Sequence, residues 1–319
     1  MASLAQSGGT HLGHLLYSLV LELKPRREAA LEPTQGYHAY ALLLQVLQWR
    51  DPELSRQLHE VAGPKPFTLS PLRGRMARQG SGVLVFPEET YWLRLTVLSA
   101  DLFARMLDAL AQAPTDRDLR LESGSFRLQR IVTAPGQSAW AGFSSFEKLV
   151  AEGRPESKLR LAFHSPTAFR SGGRNVVVPL PGLVFGSLLA RWNEFAPTPL
   201  PETLRQVAEA GVLVARYRLE TRMLDFGRHR EVGFEGECEY EVTQEVPPEA
   251  AAQLSTLAAF AYYAGVGAKT SMGMGQATSA GTSQALQPGR RDHTRPARDA
   301  AARPRLAEAE PGPSFEEVR

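Results

Sequence analysis

One order of segments occurs twice in this chain of 319 residues, and it limits the folds open to the chain more than any other feature. Residues 15–23 (LLYSLVLEL) are an apolar run, and the breakers at 24–35 bound it as a buried strand. Residues 37–49 then carry Ala41, Leu42, Leu44, Val46 and Leu47 at helical spacing, so a helix packs on that strand. Asp51-Pro52-Glu53 starts a second helix, with Asp51 as N-cap and Pro52 in the first turn. Residues 67–76 and 91–98 read as strands; in the latter Tyr91, Leu93, Leu95 and Val97 alternate with Trp92, Arg94 and Thr96. An amphipathic helix at 101–113 and an extended segment at 119–132 complete the series β-α-β-β-α-β.

The series returns after a capping box at Ser144 and Glu147. A strand at 158–169 precedes helices at 183–195 and 202–210. Extended segments at 212–224 and 231–246 follow, joined as a hairpin at Asp225-Phe226-Gly227-Arg228. A helix at 254–264 and a last strand at 276–279 close the second series. The expected class is α+β, with two tandem ferredoxin-like (RRM-like) domains at residues 1–140 and 141–279. Residues 280–319 are rich in Ala, Pro, Arg and Glu without a hydrophobic pattern, so a disordered tail is expected there.

An apolar fraction of 43% with 22% charged residues is that of a globular protein, and there is no run of about 18 apolar residues. A cytoplasmic location, with no membrane partner, is expected. The formal charge of +2 excludes a strongly basic, non-specific nucleic-acid binder, so any RNA contact has to come from a local arginine-rich stripe. Cys238, the single cysteine, stands between Glu237 and Glu239, whose charges would raise its pKa and make it a poor nucleophile. Neither a Cys/His group with zinc spacing nor a magnesium-type acidic run occurs, so no metal and no cofactor are expected.

Residues 265–275 (GVGAKTSMGMG) are the clearest candidate for binding. Gly265, Gly267, Gly273 and Gly275 let the backbone approach a ligand, while Lys269, Thr270 and Ser271 supply donors, an arrangement suited to a phosphate backbone. The loop follows a helix and precedes a strand, the reverse of a mononucleotide-binding loop. His38, beside Tyr37 at the start of the first helix, is placed to titrate near neutrality as a general base or to stand solvent-exposed with no catalytic role. His59 reads as a structural residue at a helix end. His164 with Arg170, Arg174, Gly172 and Gly173 suggests a second anion-binding loop, and His229 lies in a charged hairpin tip.

The loop at 265–275 resembles the glycine-rich signature of the RAMP superfamily, whose paired ferredoxin-like domains cradle CRISPR RNA. More closely, the chain is similar to the CRISPR-associated endoribonucleases that cut precursor CRISPR transcripts within each repeat. Residues 51–60, 65–72 (KPFTLSPL) and 165–170 (SPTAFR), with Pro179-Leu180-Pro181, add to the likeness, which runs from about residue 14 to 279. It implies metal-independent cleavage by the ribose 2′-hydroxyl, leaving a 2′,3′-cyclic phosphate and a 5′-hydroxyl. It assigns the general base to His38, with Tyr37 or Tyr40 to orient the ribose or donate to the phosphate. RNA binding falls to Gly265, Gly267, Lys269, Thr270, Ser271, Gly273 and Gly275, with Arg170 and Arg174. No lysine follows His38 in its helix, so Lys65, Arg73 and Lys269 are the candidates for an assisting cation. The implied partners are CRISPR repeat RNA (pre-crRNA) and a second copy of the chain in a homodimer. The alternative is a non-catalytic RAMP subunit that binds crRNA in an effector complex.

Overall fold

A computed structural model describes residues 15–113, 118–226 and 230–279. The tail at 280–319 and the hairpin tip carrying His229 lie outside the described residues. The first half builds β1 (Leu15–Pro25), β2 (Ala29–Leu31), α1 (Gly36–Arg50), α2 (Pro52–Glu60), β3 (Phe67–Leu69), β4 (Ala77–Gln79) and β5 (Gly82–Val85). It continues with β6 (Tyr91–Val97), α3 (Ala100–Ala111), β7 (Leu119–Leu121), β8 (Gly124–Val132) and β9 (Gly142–Ser145). After α4 (Phe146–Glu152) come β10 (Lys158–Thr167), β11 (Phe169–Ser171), β12 (Arg174–Val176), α5 (Pro181–Phe195) and α6 (Leu204–Gly211). The second half ends with β13 (Val212–Asp225), β14 (Arg230–Val242), α7 (Pro248–Ala264) and β15 (Ala277–Ser279).

The first sheet has the order β3-β6-β1-β8-β7, with β9 on the N-terminal part of β1 and β8 on its C-terminal part. The second is β13-β14-β10-β15. Both are antiparallel with the first strand of the unit inside, the ferredoxin-like order, so the paired fold expected from the segment order is present. Each sheet buries its alternating apolar face on its own helices. Tyr91, Leu93 and Leu95 pack with Leu42, Leu43 and Val46 of α1 and with Met106 of α3. Leu159, Leu161 and Tyr240 pack with Phe185, Leu188 and Trp192 of α5 and with Leu254 of α7.

Several sequence expectations shift. The strand at 67–76 stops at Leu69, because Pro71 has no backbone N–H to donate to a ladder. The helix cap near 144 is Ser145, whose side chain accepts from the Lys148 N–H. The last long helix begins at Pro248, not 254, with that proline in its first turn. A three-stranded sheet, β2-β5-β4, was not foreseen. Cys238 faces the second core while Glu237 and Glu239 alternate outward, so burial is what raises its pKa.

The other face of β6 is closed by the second half of the chain. Arg94 is 1% exposed and its guanidinium has only neutral acceptors: Ser18 Oγ (2.9 Å), Gln276 Oε1 (2.9 Å) and the Tyr262 carbonyl (2.6 Å). It also lies over the rings of Trp140 and Tyr262, at 4.9 and 4.0 Å from their centroids. Thr96 Oγ1 donates to the Tyr263 carbonyl (2.6 Å), and Gln276 Nε2 donates to Thr68 Oγ1 (3.1 Å). This network joins the first sheet to the end of α7 and leaves no open cleft for RNA on that face.

Candidate active site

The start of α1 is set by a close approach between the two halves. A Cβ on Gly36 would lie 2.0 Å from the Met272 carbonyl oxygen and 2.8 Å from Gly273 Cα, so only glycine fits. The Gly273 N–H donates to the Leu69 carbonyl (3.0 Å), which fixes the glycine loop against β3. His38 follows two residues after Gly36, half-buried, with Nε2 3.6 Å from Glu32 Oε2, close enough for an ion pair when the ring is protonated. Tyr37 is 48% exposed and stands edge-on to the imidazole, centroids 5.7 Å apart. The Glu32 N–H donates to Glu122 Oε2 (2.8 Å), and Glu122 holds φ 56° in the turn between β7 and β8. One ligand atom each from Glu32, His38 and Glu122 lies within 4.8 Å of the others, so these are residues that could hold a metal ion.

Tyr40 is turned away from this group. It is 4% exposed, stacks on Phe67, and its hydroxyl donates to the Leu58 carbonyl (3.2 Å), a packing role that leaves no reach to a ribose. Lys65 donates to the same carbonyl and to that of Val61 at the end of α2, and burial lowers its pKa. Arg73 donates to the His164 carbonyl. Of the other described histidines, His59 lies exposed at the end of α2, and His164 is engaged with Thr278 Oγ1 (2.9 Å) beside Trp140.

The glycine loop is a brace between the halves, and its glycines answer to packing. A Cβ on Gly267 would meet the Ala168 carbonyl oxygen at 2.4 Å, and one on Gly275 the Val266 carbonyl oxygen at 2.1 Å. Gly265, Thr270, Ser271, Gly273 and Gly275 are buried; Gly267, Ala268, Lys269 and Met272 form its partly exposed rim. Its amides serve the protein: Val266 donates to Gly275, Ala268 to Ala168, and Gly275 to Pro166. Thr270 Oγ1 accepts from Arg191 Nη2 (2.5 Å), and burial lowers the Arg191 pKa to about 10.

Lys269 and Arg170 meet at Glu231, which the sequence did not single out because a lone glutamate in a charged strand has no signal. Lys269 Nζ lies 2.7 Å and Arg170 Nη2 2.8 Å from Glu231 Oε1, while Asn175 Nδ2 donates to Oε2 (2.5 Å). Burial opposes the charge of Glu231, but the hydrogen bonds and charges of these partners outweigh it and hold the carboxyl below its usual range. Gly172 and Gly173, at φ 55° and 75°, form the two-residue turn between β11 and β12, and Arg174 is exposed just after it.

A cavity of about 580 Å³ opens where α1 begins. Thr34, Gly36, Met272, Arg222, Met223 and Glu235 are among its walls.

Two ferredoxin-like sheets braced by a glycine loop before the last strand give this chain a fold that it shares with a RAMP protein described as binding different RNA substrates (15% identity, TM-score 0.55). The model of the CRISPR Cas6 N-terminal domain matches residues 15–151, and that of CRISPR-associated endoribonuclease Cas6 matches residues 161–277. The chain belongs to the Cas6 family.

A Cas6 product complex is 34% identical, with a TM-score of 0.70, over 83% of this chain and 99% of that one. Thermus thermophilus Cas6 is 32% identical over 83% and 98%, TM-score 0.65. Among curated relatives, the endoribonuclease Cas6 of Streptococcus thermophilus is 33% identical over 35% of this chain and 46% of its own length. That of Mycobacterium tuberculosis is 34% identical over 38% of each. The match thus spans less than half the length of these curated relatives.

Proposed function

We propose that this chain is a metal-independent endoribonuclease that cuts precursor CRISPR RNA within its repeats. The observation that carries the reading is His38. Of the described histidines it stands partly exposed in the first turn of α1, two residues after the Gly36 that meets the glycine loop, while His59 lies at the far end of α2 and His164 is engaged inside. Support comes from relatives: a second Cas6 was solved as a product complex, with a substrate mimic, and as a histidine-to-alanine mutant, at 30–31% identity. The RNA contact is carried by the exposed Arg216 and Arg218 of β13, by Arg174, and by the rim of the glycine loop at Gly267 and Lys269.

In the step proposed, His38 takes the proton of the ribose 2′-hydroxyl, whose oxygen attacks the adjacent phosphorus. The P–O5′ bond breaks, leaving a 2′,3′-cyclic phosphate, and the proton passes to the 5′-oxygen. Tyr37, exposed beside the ring, donates to the phosphate. The test is cleavage of labelled repeat RNA in EDTA by wild type and His38→Ala, beside a substrate with one 2′-deoxy nucleotide before the cut. The expected loss for His38→Ala is about 100- to 10,000-fold; a magnesium requirement, or cleavage of the 2′-deoxy RNA, overturns the mechanism.

One observation favours the second reading, a non-catalytic subunit that binds crRNA in an effector complex. Glu32 and Glu122 set two carboxylates beside His38, where they repel a phosphate. Tight binding without cleavage would decide for it.

The proposal further places the protein in the cytoplasm and keeps the division 1–140, 141–279 and 280–319. A homodimer is part of it because β13 is a 14-residue edge strand with Leu213, Tyr217 and Met223 exposed. Sedimentation reads the two-chain mass.

A further inference from the structure

We infer that the cavity at the start of α1 is a guanine-binding pocket that takes one unstacked base from beside the scissile phosphate. The inference rests on the reading of His38 as the place where RNA is cut.

Attack by the 2′-oxygen needs that oxygen, the phosphorus and the departing 5′-oxygen in line, which a regular stacked A-form strand does not provide. The nucleotides flanking the cut must be splayed, and a splayed base needs a place to go. The cavity lies next to the cut so defined: Thr34, Gln35 and Gly36 line it, and the next residues in the chain are Tyr37 and His38. Its volume of about 580 Å³ falls within the usual range of sites for small ligands.

Its walls have the composition that a base requires. Met76, Met223 and Met272 with Leu72 offer flat-packing apolar surface for the ring faces. At the edge stand Glu235, two-thirds enclosed at its side chain, and Arg222, whose Nε lies 3.8 Å from Glu235 Oε2. A carboxylate accepts from donors and a guanidinium donates to acceptors. Guanine presents two adjacent donors, N1–H and N2–H₂, to a carboxylate and two adjacent acceptors, O6 and N7, to a guanidinium; adenine, cytosine and uracil set single donor groups beside acceptors and cannot serve both partners in this paired way. Burial raises the Glu235 pKa, the charges of Arg73 and Arg222 pull it down, and Glu220, to which Arg222 Nη2 donates (2.9 Å), raises it. The pocket also has a fixed wall: the Asp225 N–H donates to Thr34 Oγ1 (3.1 Å), which ties the end of β13 to the loop before α1.

The experiment varies the base. Repeat RNAs carrying G, A, C or U at each nucleotide flanking the cut are cleaved under single-turnover conditions. Their uncleavable 2′-deoxy forms are titrated in parallel by fluorescence anisotropy. The expected result is a preference for guanine of about tenfold or more at one of these positions, the discrimination that one bidentate base contact supplies. Glu235→Gln and Arg222→Met each reduce the guanine RNA to the level of the other bases, with melting temperatures recorded to show that both variants fold. Equal rates and affinities for all four bases, or a preference that survives both substitutions, overturns the pocket. If wild type binds with the guanine preference yet cuts no RNA, the pocket stands and the nuclease reading falls.

Discussion

Glu231 is 4% exposed and holds both Lys269 and Arg170, so removing either cation takes one of the charges that compensate a buried carboxylate. Lys269→Ala is therefore expected to lower the melting temperature by several degrees, read by differential scanning fluorimetry, in addition to any loss of RNA affinity. The same carboxylate makes stability depend on pH. Its folded pKa lies below the ordinary 4.5, so its contribution is complete above that value and is lost as pH falls through the lower, folded one. Wild type should lose stability as pH drops below about 4.5, while Glu231→Gln, weaker at neutral pH, should show a flatter profile there. At His38, Glu32→Gln removes the carboxylate 3.6 Å from the imidazole. A several-fold change in cleavage rate is expected, read under single-turnover conditions, because an exposed pair of this kind contributes only about 1 kcal/mol.

At the scale of elements, glycines separate by what surrounds them. Gly36→Ala puts a methyl 2.0 Å from a backbone oxygen that cannot rotate away, so a loss of at least about 1–3 kcal/mol is expected in denaturant titration. Gly80→Ala, with nothing within 4 Å but φ 58°, should cost only about 1–2 kcal/mol of left-handed strain. The long elements were legible where their periodicity is strong: Leu102, Met106 and Leu110 of α3, or Tyr91, Leu93 and Leu95 of β6. The three-residue strands β2 and β4 were not, since three residues show no period. His38 and Tyr37 were legible as a pair at a helix start, but nothing local says that Tyr40, three residues from Tyr37, turns inward onto Phe67. Nor does β6 itself reveal that Trp92, Arg94 and Thr96 meet Trp140 and the end of α7 rather than water. Long-range contact decides both.

For the whole molecule, Arg94 is the residue on which the union of the halves turns. Arg94→Ala leaves Gln276 Oε1 and the Tyr262 carbonyl buried without their donor, at about 1–3 kcal/mol each. Calorimetry is expected to show a single transition for wild type and two for the variant; a single transition in both would mean that apolar packing alone couples the halves. The brace formed by residues 265–275 has a further consequence. Its glycines are fixed by backbone atoms of the same chain, so a descendant that lost His38 and all chemistry would still be obliged to keep them. The motif therefore marks how two halves are fitted together, and its survival in a lineage carries no information on whether the molecule still cuts.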